Sequence, residues 1–378
     1  MNRPNRTINV TQPCLPELDL FVKSLQDIWE QKWLTNNGKY HQKFEQQLQS
    51  YLGVNECSLL SNGTLALLIG LRALDISGQV ITTPFSFVAT SHSILWNGLT
   101  PVFCDIEPHT YNMDPNKIER LITPETSAIM PVHVYGNPCD MASIDTIAKN
   151  YGLKVIYDAA HAFGVTYNGE SLLQAGDLSI LSFHATKVFN TIEGGAIVAA
   201  SPHIKAAVDS LRNFGFKDET TVEGVGINAK MNELQAAYGL LQLTTIEKEI
   251  RKRKHISDLY REKLSTIRGL RLPEQNPAVQ HNYSYFPIEV DEKSAGFSRD
   301  VLYSTLKHHN INSRRYFFPL ISNFKPYHML PSAAKASLPV ANKAASQILC
   351  LPIYGALSSD EVEIICNHIQ EVARLKEN

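Results

Sequence analysis

From about Glu45 to Ala200 this chain alternates helical patterns with short apolar runs, and that alternation constrains its fold more than any other feature. FEQQLQSYLGV reads as a helix closed at Gly53, and Asn62 opens a second helix over TLALLIGLRAL. VITTP then reads as a strand, SHSILWNG as a helix and PVFCDI as a strand. Asp114-Pro115 predicts a helix over KIERLI, because an acidic N-cap followed by proline suits a first turn. SAIMPVHVYG is a strand and loop, SIDTIAKNYG a helix ending at Gly152, and LKVIYDAAHA a strand with the continuous apolar core VIY. Runs of that kind are buried on both faces, so the order predicts a mostly parallel α/β sheet with helices on both sides. Beyond Thr245 the pattern changes. TIEKEIRKRKHISDLYREKL predicts one long amphipathic helix, followed by mixed strands and helices. The 378 residues divide on this reading into a large domain, 1–245, and a smaller α+β domain, 246–378.

Composition narrows the function. The formal net charge of −2 gives no global field for nucleic acid. The six cysteines are scattered singly, so neither a zinc site nor a dithiol is indicated, and no metal is expected. RKRK, Arg251 to Lys254, sits among glutamates and reads as a solvated helix face, while His308-His309 are adjacent on a helix and do not share a face. The uncharged stretch between Asp75 and Asp105 is broken by Ser, Thr, Pro and Gly, so it reads as protein interior and not as a membrane span. MNRPNRTINVTQPCLPE has no apolar core of a signal peptide, and the expected location is the cytoplasm.

Open parallel sheets bind ligands beyond the carboxyl ends of their strands. Asp158 follows VIY and Lys187 lies beyond LSIL. Each is costly in a buried place without a partner. Pyridoxal phosphate would satisfy both, with the lysine bonded to its aldehyde and the aspartate on its protonated pyridine nitrogen. On spacing alone, a plain buried Asp–Lys ion pair is the commoner explanation. Ser61-Asn62-Gly63-Thr64 before a helix offers an anion site, and equally an ordinary N-cap. Ser182 is placed to add a hydroxyl. Phe87 is placed to stack on a flat ring or to pack in the core. His161 and His184 are placed to touch a cofactor, or to be satisfied structural histidines.

In combination the segments say more. SNGT, TPFSFVAT, DAAHAFG, SFHATKVFNTIEGGAIV and GINAKMNELQAA, in that order, resemble the DegT/DnrJ/StrS-type nucleotide-sugar aminotransferases. KWLTNNGKYHQKFEQQLQSYLGV, NSRRYFFPL and LPIYGALSSDEV are similar to that family's terminal regions, so the resemblance spans nearly the whole chain. It implies a fold type I, aspartate aminotransferase-like architecture. It makes Lys187 the Schiff-base lysine, Asp158 the pyridine-nitrogen partner and His161 a cofactor contact. Gly63, Thr64 and Ser182 become a phosphate cup and Phe87 the ring stack. Asn228 matches an asparagine that reaches the phosphate from a neighbouring subunit, which implies a homodimer with shared sites. Arg315 and Tyr316, with His184, fall where relatives contact the sugar nucleotide. Phe87 stands where relatives often have Trp or Tyr, and Ile227 and Lys230 where they often have Tyr and Arg.

The implied reaction moves an amino group from glutamate, through pyridoxamine phosphate, to a nucleotide-linked keto sugar. SFHATK with His161 is most similar to enzymes aminating dTDP-4-keto-6-deoxyglucose at C4 for surface polysaccharide such as O-antigen. Amination at C3 of a dTDP-3-keto-6-deoxyhexose is the alternative. From another class, a PLP-dependent lyase or a non-catalytic PLP-binding regulator on the same fold stays open. The intact Lys187 and Asp158 weigh against the regulator.

Overall fold

The computed structural model describes residues 6–377. Seven strands build the central sheet: β1 (Cys57–Leu60), β2 (Gln79–Thr82), β3 (Thr100–Phe103), β4 (Thr126–Met130), β5 (Lys154–Asp158), β6 (Leu178–Ser182) and β7 (Gly195–Ala199). Their spatial order is β1-β7-β6-β5-β4-β2-β3. β7 runs antiparallel to both its neighbours, and the pairings from β6 through β3 are parallel.

Alternation along each strand explains the layers. Val80, Ala128, Ile156, Ile180 and Ile197 face one side, where Leu67 and Ile69 of α3 (Gly63–Ala73), Ile94 of α4 (Ala89–Trp96) and Val208 of α6 (Pro202–Leu211) cover them. Their neighbours Ile81, Ile129 and Val155 face the other side, under Ile144 and Ala148 of α5 (Met141–Tyr151). Leu181 and Val198 also face that way, under Phe44 and Leu48 of α2 (Lys39–Leu52) and Ala236 of α7 (Glu233–Leu243). Apolar side chains on both faces are what a covered parallel sheet needs. α1 (Leu18–Gln31) packs along α7.

A second layer follows α8 (Ile246–Leu264). Strands β8 (Leu270–Arg271), β9 (Phe286–Val290) and β10 (Ile348–Leu351) form an antiparallel sheet, with α9 (Arg299–His308), α10 (Pro339–Gln347) and α11 (Ser359–Glu377). Tyr260, Ile288, Leu302, Leu306, Ile365 and Ile369 share its core, and Ile8 from near the start of the chain joins them by pairing with Ile311. Among the described residues no helix is long and apolar enough to cross a membrane, and no cluster of His, Cys, Asp and Glu is arranged to hold a metal.

Two expectations need correction. KIERLI does not form an α-helix. Asp114 accepts the Asn116 N–H at 3.1 Å, a tight spacing that opens two successive 3₁₀ turns, Pro115–Lys117 and Glu119–Leu121. Only four residues separate the second turn from β4, too few to build a full helix. Nor is RKRK uniformly solvated. Arg253 is buried, 2.7 Å from Glu249 and 3.2 Å from the Ile353 carbonyl, while Glu249 accepts the Gly355 N–H at 2.9 Å. This pair ties α8 to the loop after β10. Arg253→Met leaves Glu249 charged and buried, and is expected to cost roughly 3–5 kcal/mol, read as a lower urea midpoint.

Candidate active site

The carboxyl ends of β5 and β6 carry the chemistry. β5 ends on Asp158, which is only 4% exposed. One carboxylate oxygen, Oδ2, accepts the Thr90 hydroxyl at 2.7 Å, and Oδ1 accepts the Ala160 N–H at 3.1 Å. Lys187 lies in the turn beyond β6, its N–H donating to the His184 carbonyl at 2.8 Å. The two charges act on each other through space and are not joined in a direct ion pair. Burial therefore dominates both. It raises the Asp158 carboxyl against the lowering effect of Thr90, Ala160 and Lys187. It pushes the Lys187 amine down to about 8, against the pull of Asp158. A buried acid and a half-buried amine, near but not paired, suit a third group bound between them.

A cradle for an anion lies beside them. Asn62 caps α3, accepting the Leu65 N–H at 2.8 Å, which leaves the N–H groups of Gly63 and Thr64 free of helix partners. Gly63 packs directly on Ser182: a Cβ at Gly63 would fall 2.8 Å from the Ser182 Cβ and 3.0 Å from its hydroxyl. The glycine is thus required by close approach, and the two segments named from sequence meet here. Thr64 is exposed at the rim.

His161 forms a wall. It is buried, its Nδ1 accepts the Tyr135 N–H at 3.2 Å, and its ring lies parallel to Phe317 at 5.9 Å and edge-on to Tyr285 at 4.8 Å. Accepting at Nδ1 places the proton of the neutral ring on Nε2. Burial, the Lys187 charge and His133 all hold it neutral. Phe87 is 60% exposed, so it is not a core residue. It shares with Thr64 a groove of about 790 Å³ whose other side is Val225, Gly226 and Ile227.

Other named residues lie farther out. His184 is exposed, bonded to the Thr186 hydroxyl at 2.8 Å and 3.6 Å from Glu193. Asn228 is exposed, next to the loop lining that groove, with its backbone bridged to Asn213. Arg315 is engaged by Asp300 at 3.0 Å and lies over the Tyr303 ring at 4.5 Å. The Tyr316 carbonyl accepts the Tyr135 hydroxyl at 2.5 Å, and its ring meets Tyr285 edge-on at 5.7 Å, so Tyr316 joins the aromatic wall behind His161. Sequence reasoning missed Thr90, Tyr135, Tyr285 and Phe317. For Thr90 a signal existed: it is a hydroxyl close after a strand, with Ser86 nearby, inside a stretch without charges.

The donor set fits pyridoxal phosphate: backbone N–H groups and a serine for a phosphate, a buried carboxylate for a ring cation, and a depressed amine for an aldehyde. This combination of fold and site is that of an aminotransferase. Residues 18–370 match the DegT/DnrJ/EryC1/StrS aminotransferase family, and the chain belongs to it. Over 361 residues it is 53% identical to the dTDP-4-amino-4,6-dideoxy-D-glucose transaminase of Escherichia coli, covering 95% of this chain and 96% of that one. The solved structure of DesI in the presence of its TDP-sugar product aligns with a TM-score of 0.95 at 32% identity, over 100% of this chain and 96% of that one. A Bacillus subtilis protein, NtdA, solved with bound cofactor PMP, aligns with a TM-score of 0.86 at 31% identity, over 95% and 82%.

Proposed function

We propose that this chain is a pyridoxal-phosphate-dependent aminotransferase that converts dTDP-4-keto-6-deoxy-D-glucose to dTDP-4-amino-4,6-dideoxy-D-glucose, with glutamate as donor. The observation that supports it most is Asp158 and Lys187 at neighbouring strand ends beside the Gly63–Ser182 cradle. The choice of sugar rests on the similarity to the Escherichia coli transaminase. On this reading the enzyme works in the cytoplasm, in surface-polysaccharide synthesis, as a homodimer with its large domain at 1–245 and small domain at 246–378. The groove beside Phe87 and the exposed Asn228 then face the second subunit.

When bound, pyridoxal phosphate supplies an electron sink for the pair left behind as a carbon loses its proton. The chain's own residues do the rest. Gly63 and Thr64 hold the phosphate through backbone N–H groups, with Ser182 adding a hydroxyl. Asp158 holds the ring cation by charge, in a place from which water is excluded. Phe87 would stack on the ring. His161, neutral with its proton on Nε2, would offer the cofactor a fixed donor. Lys187, with its amine pushed down to about 8, is partly unprotonated near neutral pH. Its Nζ takes the α-proton of the donor amino acid and later protonates the sugar carbon that gains the amine.

Purified protein given glutamate and either the 4-keto or the 3-keto dTDP-sugar tests the substrate. NMR of the product is expected to place the new amine on C4. Product from the 3-keto sugar alone would contradict the assignment. In the cradle, Gly63→Ala crowds Ser182. It is expected to weaken cofactor binding by about 1–3 kcal/mol, roughly ten- to a hundredfold in Kd by fluorescence titration.

A further inference from the structure

Asp158 does not stand alone against α4. Thr90, in the first turn of that helix, is buried, and its hydroxyl meets Asp158 Oδ2 at 2.7 Å. Ser86, also buried, lies 2.8 Å from the same Thr90 oxygen. An ionised carboxylate only accepts, so the single Thr90 proton points to Asp158. The Ser86 proton must then point to Thr90. The chain is directional: Ser86 donates to Thr90, and Thr90 donates to Asp158. Were Asp158 protonated on Oδ2 and donating to Thr90, the Thr90 proton would have to turn away from it.

Thr90 also belongs to the turn that presents Phe87, since its N–H donates to the Phe87 carbonyl at 3.2 Å. One helical turn therefore supports both the ring stack and the carboxylate that face the same gap. With the Ala160 N–H on Oδ1, each Asp158 oxygen has one inward donor and keeps a lone pair free for an outward one.

We propose that Thr90 is the positioning residue that keeps Asp158 an acceptor toward the cofactor's ring nitrogen, with Ser86 orienting the Thr90 proton. The inference rests on the pyridoxal-phosphate reading above and adds residues that do not touch the cofactor. Burial favours a neutral Asp158, and the Thr90 hydrogen bond opposes this. Without Thr90 the carboxylate becomes more basic and draws the shared proton off the ring nitrogen. Two charged partners then become two neutral ones, and the electron sink weakens.

The test loads the full-length protein with pyridoxal phosphate labelled with ¹⁵N in the ring and reads that nitrogen's chemical shift. Wild type and Thr90→Ser are expected to show a protonated ring nitrogen. Thr90→Val, of nearly the same shape, is expected to move the resonance toward the unprotonated value and to lower kcat by about ten- to a hundredfold, with KM for the sugar little changed. Ser86→Ala is expected to shift the resonance the same way by less, and it carries the test if Thr90→Val does not fold. A merely structural role would lower stability without moving the resonance. Loaded Thr90→Val or, failing that, loaded Ser86→Ala with the wild-type resonance and turnover overturns this inference alone. Wild-type protein that takes up no labelled cofactor overturns it together with the proposed function.

Discussion

Lys187→Ala is expected to lower turnover by about 10⁴-fold while leaving a folded protein that still retains the cofactor through the cradle and Asp158. The amine is unusual in its setting: burial pushes it down to about 8, and among the described residues none is joined to it by a hydrogen bond or ion pair. Losing the side chain removes the amine proposed to carry the proton. Single-turnover measurements with glutamate would show the defect in the first half-reaction, before any sugar is added. Circular dichroism and the melting curve should be close to wild type, because removing a poorly solvated charge breaks no internal ion pair. Turnover at the wild-type rate would exclude Lys187 as the proton carrier.

The second large effect is expected at Asp158. Asp158→Asn keeps an oxygen for the Thr90 hydroxyl but removes the charge opposite the ring cation. Electrostatic stabilisation of this sort is worth about 10²–10³ in rate. The same change has a pH signature in the cofactor-free protein. Burial raises the folded pKa of Asp158 above its unfolded value. Between the two values the folded form binds more protons, so this group's contribution makes stability fall as pH rises through the carboxylate range, and the penalty persists at neutral pH. The asparagine variant lacks that contribution. Its melting temperature relative to wild type should therefore rise with pH across that range. A difference independent of pH would mean that Asp158 is not held in a raised state.

Much of this site was legible in the chain because it sits where strand ends must put it. Apolar runs of three or four residues fixed the positions of β5 and β6, and Asp158 and Lys187 follow from them. The Asn62 cap and Gly63 were readable for the same local reason. What was not readable depends on distant surfaces. Phe317 and Tyr285 stand behind His161 although more than a hundred residues separate them in sequence. Arg253 shares a helix with exposed lysines, and it is buried because the Ile353 carbonyl and Gly355 close over it with Glu249. Helical periodicity identifies a face but not what will cover it. KIERLI went astray for a different reason: its capping signal was real, and the chain returned to the sheet before a helix could form.

Borohydride reduction of the protein reconstituted with pyridoxal phosphate, followed by peptide mass mapping, tests the central claim most directly. One pyridoxyl group per chain, carried on Lys187, is the predicted result. A protein that gains no such mass, or gains it on a different lysine, would contradict the account.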